Sequence, residues 1–154
     1  MRVSEIMTNA AVTDRPDDTL SEAASKMWRQ QTGSLLVIDG EDLVGILTER
    51  DVLKAVATGA NLTDTRLSEV MTKDLVTVGP QTSLREAAKV MADRWIRHLP
   101  VMDGGKLVGV VSQRDLAGVL AGALNEPERL EALVEASELV RERRLKRIEH
   151  GAWD

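Results

Sequence analysis

Two seven-residue segments carry the side chains best suited to chemistry: Gly45-Ile46-Leu47-Thr48-Glu49-Arg50-Asp51 and Gly109-Val110-Val111-Ser112-Gln113-Arg114-Asp115. In each, an apolar run ends on a hydroxyl residue, and a carboxylate follows three positions later. At a junction of strand and helix that spacing has two readings. In one, Thr48 and Ser112 are N-caps, and Asp51 and Asp115 complete a relative of the capping box that satisfies backbone N–H groups. In the other, the same geometry binds a ligand. Backbone N–H groups at a helix start favour a phosphate, the hydroxyl donates or accepts, and an ionised carboxylate accepts both hydrogens of a ribose diol. Spacing alone leaves both readings open.

The elements that must position these residues come twice. Shifted by 64 positions, residues 3–56 lie over 67–120 without a gap. VSEIMT (3–8) falls on LSEVMT (67–72), LSEAASKM (20–27) on LREAAKVM (84–91), LLVIDG (35–40) on LPVMDG (99–104), and LVGILTERD (43–51) on LVGVVSQRD (107–115). Two equal units pack about a pseudo-twofold axis, which creates paired clefts. Within each unit Thr19/Glu22 and Ser83/Glu86 have capping-box spacing and open helices over 20–31 and 84–95. Apolar runs at 35–38 and 43–47, joined by Asp39-Gly40-Glu41-Asp42, predict a hairpin, and a helix follows over 49–57. The unit is α/β, strand–helix–strand–strand–helix. The first spans 1–58 and the second 67–122, joined by the polar linker TGANLTDTR (58–66). The pairs Met7/Met71 and Met27/Met91 read as core, and Trp28 and Trp95 as packing or interface residues.

Residues 126–149 lie outside the repeat and predict a C-terminal helix. Pro127 suits a first turn. Glu126, Glu128, Glu131 and Glu135 crowd one end, while Arg141, Arg143, Arg144, Lys146 and Arg147 crowd the other, complementing a helix dipole. Leu130, Leu133, Val134, Val140, Leu145 and Ile148 form an imperfect apolar stripe, for docking on the chain's own body or on a second copy.

Composition narrows the function classes. The chain has 154 residues, a net charge of −5, no Cys, no Phe, no Tyr and three Trp. Few aromatics and a negative charge disfavour nucleic-acid binding by base stacking or phosphate attraction. Without Cys there is no disulfide, thiolate metal site or thiol nucleophile. His98 and His150 are the two histidines, which argues against a histidine metal site or a serine triad. The N-terminus carries no signal-peptide pattern, and no run approaches the roughly 18 apolar residues of a membrane helix. A cytoplasmic, non-enzymatic protein without membrane contact is expected.

The order GhhT-x-x-D (h, apolar), preceded by an L-P-V-h-D strand and an M-T…V-x-x-x-P opening, closely resembles the cystathionine β-synthase (CBS) domain, and two consecutive copies resemble the tandem CBS pair, or Bateman module. The resemblance covers about residues 3–120. It implies two β-α-β-β-α units packed as a pseudo-twofold disc, with two clefts that bind adenosine-containing ligands such as AMP, ADP, ATP or S-adenosylmethionine. It implies no covalent cofactor, pairing into a homodimer, and regulation of a partner protein that the sequence does not identify. Carried onto these positions, Asp51, Thr48 and Ile46 face Thr72, Val76, Ile96, Arg97 and His98 across one cleft. Asp115, Ser112 and Val110 face Thr8, Val12, Thr32 and Gly33 across the other. Arg97 and His98 stand where related modules turn basic residues toward phosphates, so the Asp51 cleft is expected to take phosphorylated ligands more tightly. Gly33 admits close backbone approach to a ligand or, equally, a helix C-cap. The rival reading is a CBS-type dimerisation module that binds no ligand.

Overall fold

The computed structural model describes residues 1–9 and 11–123, together with Glu138, Arg141, Glu142, Leu145 and Lys146, each of these five in helical backbone. The remainder of the helix expected over 126–149 lies outside the described residues, as do His150 and Trp153.

Each unit begins with a short helical turn, a 3-10 turn at Val3–Glu5 in the first and α3 at Leu67–Val70 in the second. The first unit continues with β1 (Thr13–Asp14), α1 (Leu20–Gln30), β2 (Ser34–Asp39), β3 (Asp42–Thr48) and α2 (Glu49–Ala57). The second has α4 (Leu84–Arg94), β4 (His98–Asp103), β5 (Lys106–Ser112) and α5 (Gln113–Ala123). The caps form as their spacing predicts. Thr19 N–H donates to Glu22 Oε2 at 3.0 Å while Thr19 Oγ1 accepts from Glu22 N at 3.3 Å, and Ser83 Oγ accepts from Glu86 N at 3.1 Å. At their other ends α1 and α4 stop on Gln31 (φ 51°) and Trp95 (φ 58°), both left-handed. Gln31 therefore fills the C-cap role that Gly33 was a candidate for.

β1 runs parallel to β2, and β2 antiparallel to β3, with Ser34 opposite Thr48. β4 and β5 repeat the hairpin with His98 opposite Ser112, and a parallel bridge from Val78 to Val101 stands where β1 meets β2 in the first unit. The irregularity after Val37 recurs after Val101.

The two cores exchange their first residues. Leu67, which opens the second repeat, is fully buried with Leu20, Ala23, Met27, Leu35, Val37 and Leu47 of the first. Val3, which opens the first, is fully buried with Ala87, Met91, Leu99, Val101 and Val111 of the second. Burying each such side chain contributes roughly 1.5–3 kcal/mol, so each repeat depends on the other. Backbone bonds hold the exchange in matched pairs. Val3 N donates to Thr82 O at 2.9 Å and Leu67 N to Asp18 O at 3.0 Å, while Ser4 N and Ser68 N both reach a proline carbonyl, Pro80 and Pro16, at 3.0 Å. Met27 and Met91 are buried as expected, but Trp28 is 84% exposed and packs no core.

Candidate functional site

The exchanged segments continue into short antiparallel bridges. Thr72 N and Ile46 O are 2.9 Å apart and Ile46 N and Thr72 O 3.0 Å. Thr8 N and Val110 O are 2.9 Å apart and Val110 N and Thr8 O 3.0 Å. Each GhhT/S strand is thereby paired with the opening segment of the opposite repeat. The glycines at the head of each motif make this approach fit. A Cβ at Gly109 would stand 2.8 Å from the Thr8 carbonyl oxygen, and one at Gly45 would strike the Met71 side chain, with Cγ at 2.8 Å.

At the end of β3, Asp51 Oδ2 accepts from Thr48 N at 2.8 Å and from Thr48 Oγ1 at 3.1 Å. At the end of β5, Asp115 Oδ2 accepts from Ser112 N and Ser112 Oγ, both at 2.7 Å, and Ser112 Oγ accepts from Asp115 N at 3.3 Å. The capping geometry is therefore real, and it occupies one oxygen of each carboxylate. Asp51 Oδ1 turns the other way, with Thr72 Oγ1 of the opposite repeat at 3.4 Å. Both aspartates are half-buried. Each helix start thus presents a carboxylate oxygen and a hydroxyl beside a strand contributed by both repeats.

The remaining candidate residues sort around these two helix starts. Gly33 O accepts from Glu49 N at 3.2 Å and Arg97 O from Gln113 N at 2.9 Å, so each loop before the hairpin is pinned to the helix after it. Thr32 and Ile96 occupy matching positions just before those loops, their N–H groups donating to Met27 O and Met91 O. Val12 packs against the first core, and Val76 and Ile96 against the second. Arg97 Nη2 pairs with Glu49 Oε2 at 3.2 Å, bringing it to the start of α2. The half-buried His98 leans toward Gly33, where a Cβ would lie 3.1 Å from His98 Cε1 and 3.4 Å from Glu49 Oε2. Gly33 therefore makes room for the His98 imidazole, which lies between the two helix starts. Burial, then the positive charge of Arg97, pushes the His98 pKa down, against smaller opposing pulls from Glu49 and Asp115.

Two participants escaped the sequence reading. Glu49 partners Arg97, and Arg50 Nη1 donates to Trp95 O at 3.2 Å, placing a cation on the C-terminal end of α4. A signal for the first was present in the repeat. The offset that maps Thr48 onto Ser112 maps the pair Glu49/Arg97 onto Gln113/Gly33, so both charges are missing together in the second copy. A cavity of about 450 Å3 between α1 and α2 reaches this region through Thr32, Glu49 and Arg114 but includes neither aspartate. Hydrogen-bond geometry, not cavity size, marks the candidate site. Among the described residues no group of His, Asp or Glu is placed to hold a metal ion, and no helix is long and apolar enough to cross a membrane.

The CBS domain family model matches residues 3–58 and again 67–122. The CBS domain-containing protein YhcV of Bacillus subtilis is 40% identical over 116 residues, covering 75% of this chain and 82% of its own length. The CBS domain protein PAE2072 from Pyrobaculum aerophilum, solved in complex with AMP, superposes with a TM-score of 0.72 at 28% identity, over 88% of this chain and 99% of that one. The CBS domain pair of protein MJ0100, solved with 5′-methylthioadenosine and S-adenosyl-L-methionine, gives a TM-score of 0.74 at 26% identity, over 80% and 98%. Such pairs are regulatory modules rather than catalysts. With both copies matched, each helix–strand–strand–helix unit opened by β1 in the first and by the Val78–Val101 bridge in the second, and the two packed against each other, this chain belongs to the CBS domain family as a tandem, or Bateman, pair.

Proposed function

We propose that the chain is a regulatory module that binds an adenosine-containing ligand (AMP, ADP, ATP or S-adenosylmethionine) in the clefts between its repeats and passes occupancy to a partner protein. Asp51 and Asp115 hold the ribose hydroxyls, Thr48 and Ser112 stand beside them, and Ile46, Val110, Val76, Ile96 and Val12 supply apolar walls for adenine. Thr72, Thr8, Thr32, Gly33, Arg97 and His98 complete the polar ends. The observation that carries this reading is the contact between Asp51 Oδ1 and Thr72 Oγ1. One carboxylate oxygen caps its own helix while the other faces the opposite repeat, so a ligand bound there bridges both. A bridging ligand favours one arrangement of the two units over others, and that differential affinity is the signal. Support for the ligand class comes from the AMP and S-adenosylmethionine complexes of the two similar structures. Exposed apolar side chains on the helices, Trp28, Leu53 and Val56 among them, support pairing into a homodimer.

Calorimetry with AMP, ADP, ATP and S-adenosylmethionine tests the reading. A ligand at about 100 times its Kd stabilises the native chain by about 2.7 kcal/mol, which a thermal melt registers as a shift of several degrees. Because Asp51 also caps α2, the informative variant is Asp51→Asn, which keeps a cap acceptor and loses the charge. Losing a charge-assisted bond to ribose is expected to weaken binding about ten- to hundredfold. Absence of any response to these four ligands at millimolar concentration returns the aspartates to capping alone and favours a dimerisation module without ligand.

A further inference from the structure

The two clefts differ most at one pair of positions. In the Asp51 cleft Glu49 and Arg97 meet at 3.2 Å, and in the Asp115 cleft the matching residues are Gln113 and Gly33. Both charged residues have fixed backbones, Glu49 N on Gly33 O and Gln113 N on Arg97 O. Their heads remain in solvent, 61% and 50% exposed. An exposed pair of this kind adds little stability, so its charges stay available to a ligand. The pair is poorly suited to a phosphate. A phosphate that reaches Arg97 also meets the Glu49 carboxylate beside it, and like charges repel at that range. A group carrying both signs suits it well. A carboxylate takes the guanidinium fork, while an ammonium replaces Arg97 on Glu49.

We propose that the Glu49–Arg97 pair makes the Asp51 cleft selective for an adenosyl ligand that ends in an α-amino-acid group, with its carboxylate on Arg97 and its ammonium on Glu49. The Asp115 cleft, with Gln113 and Gly33 at these positions, is indifferent to that group. This rests on the reading of the clefts as adenosyl sites, and it reverses the expectation that Arg97 alone makes the Asp51 cleft the tighter site for phosphates. Glu49 becomes a specificity-determining residue, opposing phosphate and attracting ammonium.

The test uses the full chain carrying Asp115→Asn, which leaves the Asp51 cleft as the intact one, and calorimetry with four probes. 5′-Methylthioadenosine has the adenosyl group without the tail. S-Adenosylhomocysteine adds the amino-acid group without a sulfonium charge, S-adenosylmethionine adds both, and AMP offers a phosphate. Adding Glu49→Gln is expected to weaken S-adenosylhomocysteine and S-adenosylmethionine by about tenfold, tighten AMP several-fold and leave 5′-methylthioadenosine unchanged. Adding Arg97→Ala is expected to weaken S-adenosylhomocysteine and AMP alike and again spare 5′-methylthioadenosine. The opposite responses of AMP and S-adenosylhomocysteine to Glu49→Gln are the signature, since a merely structural Glu49 would move all four probes in one direction. If S-adenosylhomocysteine is unaffected by Glu49→Gln, or AMP weakens, the proposal is wrong while the adenosyl reading stands. If none of the four probes binds, the adenosyl reading falls and the proposal with it.

Discussion

In the first repeat the two oxygens of one aspartate are directed at different partners. Asp51 Oδ2 holds Thr48 N and Oγ1, and Asp51 Oδ1 is directed at Thr72. The capping and ligand readings of the motif were competitors in the sequence because a sequence has no oxygens to assign. His98 shows the same shortfall. Its place in the chain put it beside Arg97, whereas its imidazole occupies the space left by Gly33, with Arg97, Arg114, Glu49 and Asp115 all acting on it. Its folded pKa lies below the 6.5 of an unperturbed histidine, so the unfolded chain binds the proton more readily. Stability linked to His98 is therefore fully present above about pH 6.5 and is lost as pH falls through the folded pKa. Replacing it by the residue of the first repeat, His98→Ser, is expected to flatten the fall in stability below about pH 6.5 relative to the parent chain. Urea melts at several pH values read this directly, and an unchanged slope would show that the imidazole carries no linkage.

At the scale of elements, helix and strand limits were largely legible. Capping boxes at Thr19 and Ser83 and the alternation of 35–38 and 43–47 are local signals, and the elements that form are α1, α4 and the paired hairpins. A buried ion pair between β1 and α1 was not legible. Lys26 Nζ bonds to Asp14 Oδ1 and, at 3.0 Å, to Thr13 O, while Asp14 Oδ2 is buried without a hydrogen-bond partner among the described residues. In the second repeat Val78 and Val90 hold the matching positions against the second core. The molecule thus contains both solutions to the same contact. Removing one partner leaves a buried charge, so Lys26→Val is expected to destabilise by about 3 kcal/mol, the low end for buried pairs because Lys26 is one-third exposed. The double change Asp14→Val with Lys26→Val copies the second repeat and is expected to be neutral or stabilising by roughly 1–4 kcal/mol. Denaturant melts giving the double variant as the least stable of the three would sink this account.

For the whole molecule, the decisive feature is the exchange of opening segments. Leu67 completes the core of the repeat it does not belong to, and Val3 returns the arrangement. The chain is expected to unfold in one transition, with Leu67→Ala costing about 2–5 kcal/mol even though α1 and β2 are left intact. A fragment of residues 1–58, lacking Leu67 and the Thr72 bridge, is expected to show no cooperative melt by circular dichroism. An independent melt of that fragment would mean that the exchange is dispensable.

The sequence by itself determined the duplication, the elements of each copy, the family and the identity of the paired hydroxyl and carboxylate residues, because all of these are written in local pattern and in a constant offset. The family resemblance already set Thr72 opposite Asp51 and Thr8 opposite Asp115, but only the tertiary structure decided that Leu67 and Val3 complete each other's cores, which carboxylate oxygen of Asp51 is spent on a cap, where His98 lies and that Glu49 meets Arg97. Apart from the local cap, those relations join residues distant in the chain, Glu49 and Arg97 48 positions apart and Gly33 and His98 65, and the offset between copies shows that such positions correspond without showing which of two equivalent surfaces they join. Packing resolves that choice. Gly45 and Gly109 leave room for the opposite repeat, and Val3 and Leu67 find full burial there.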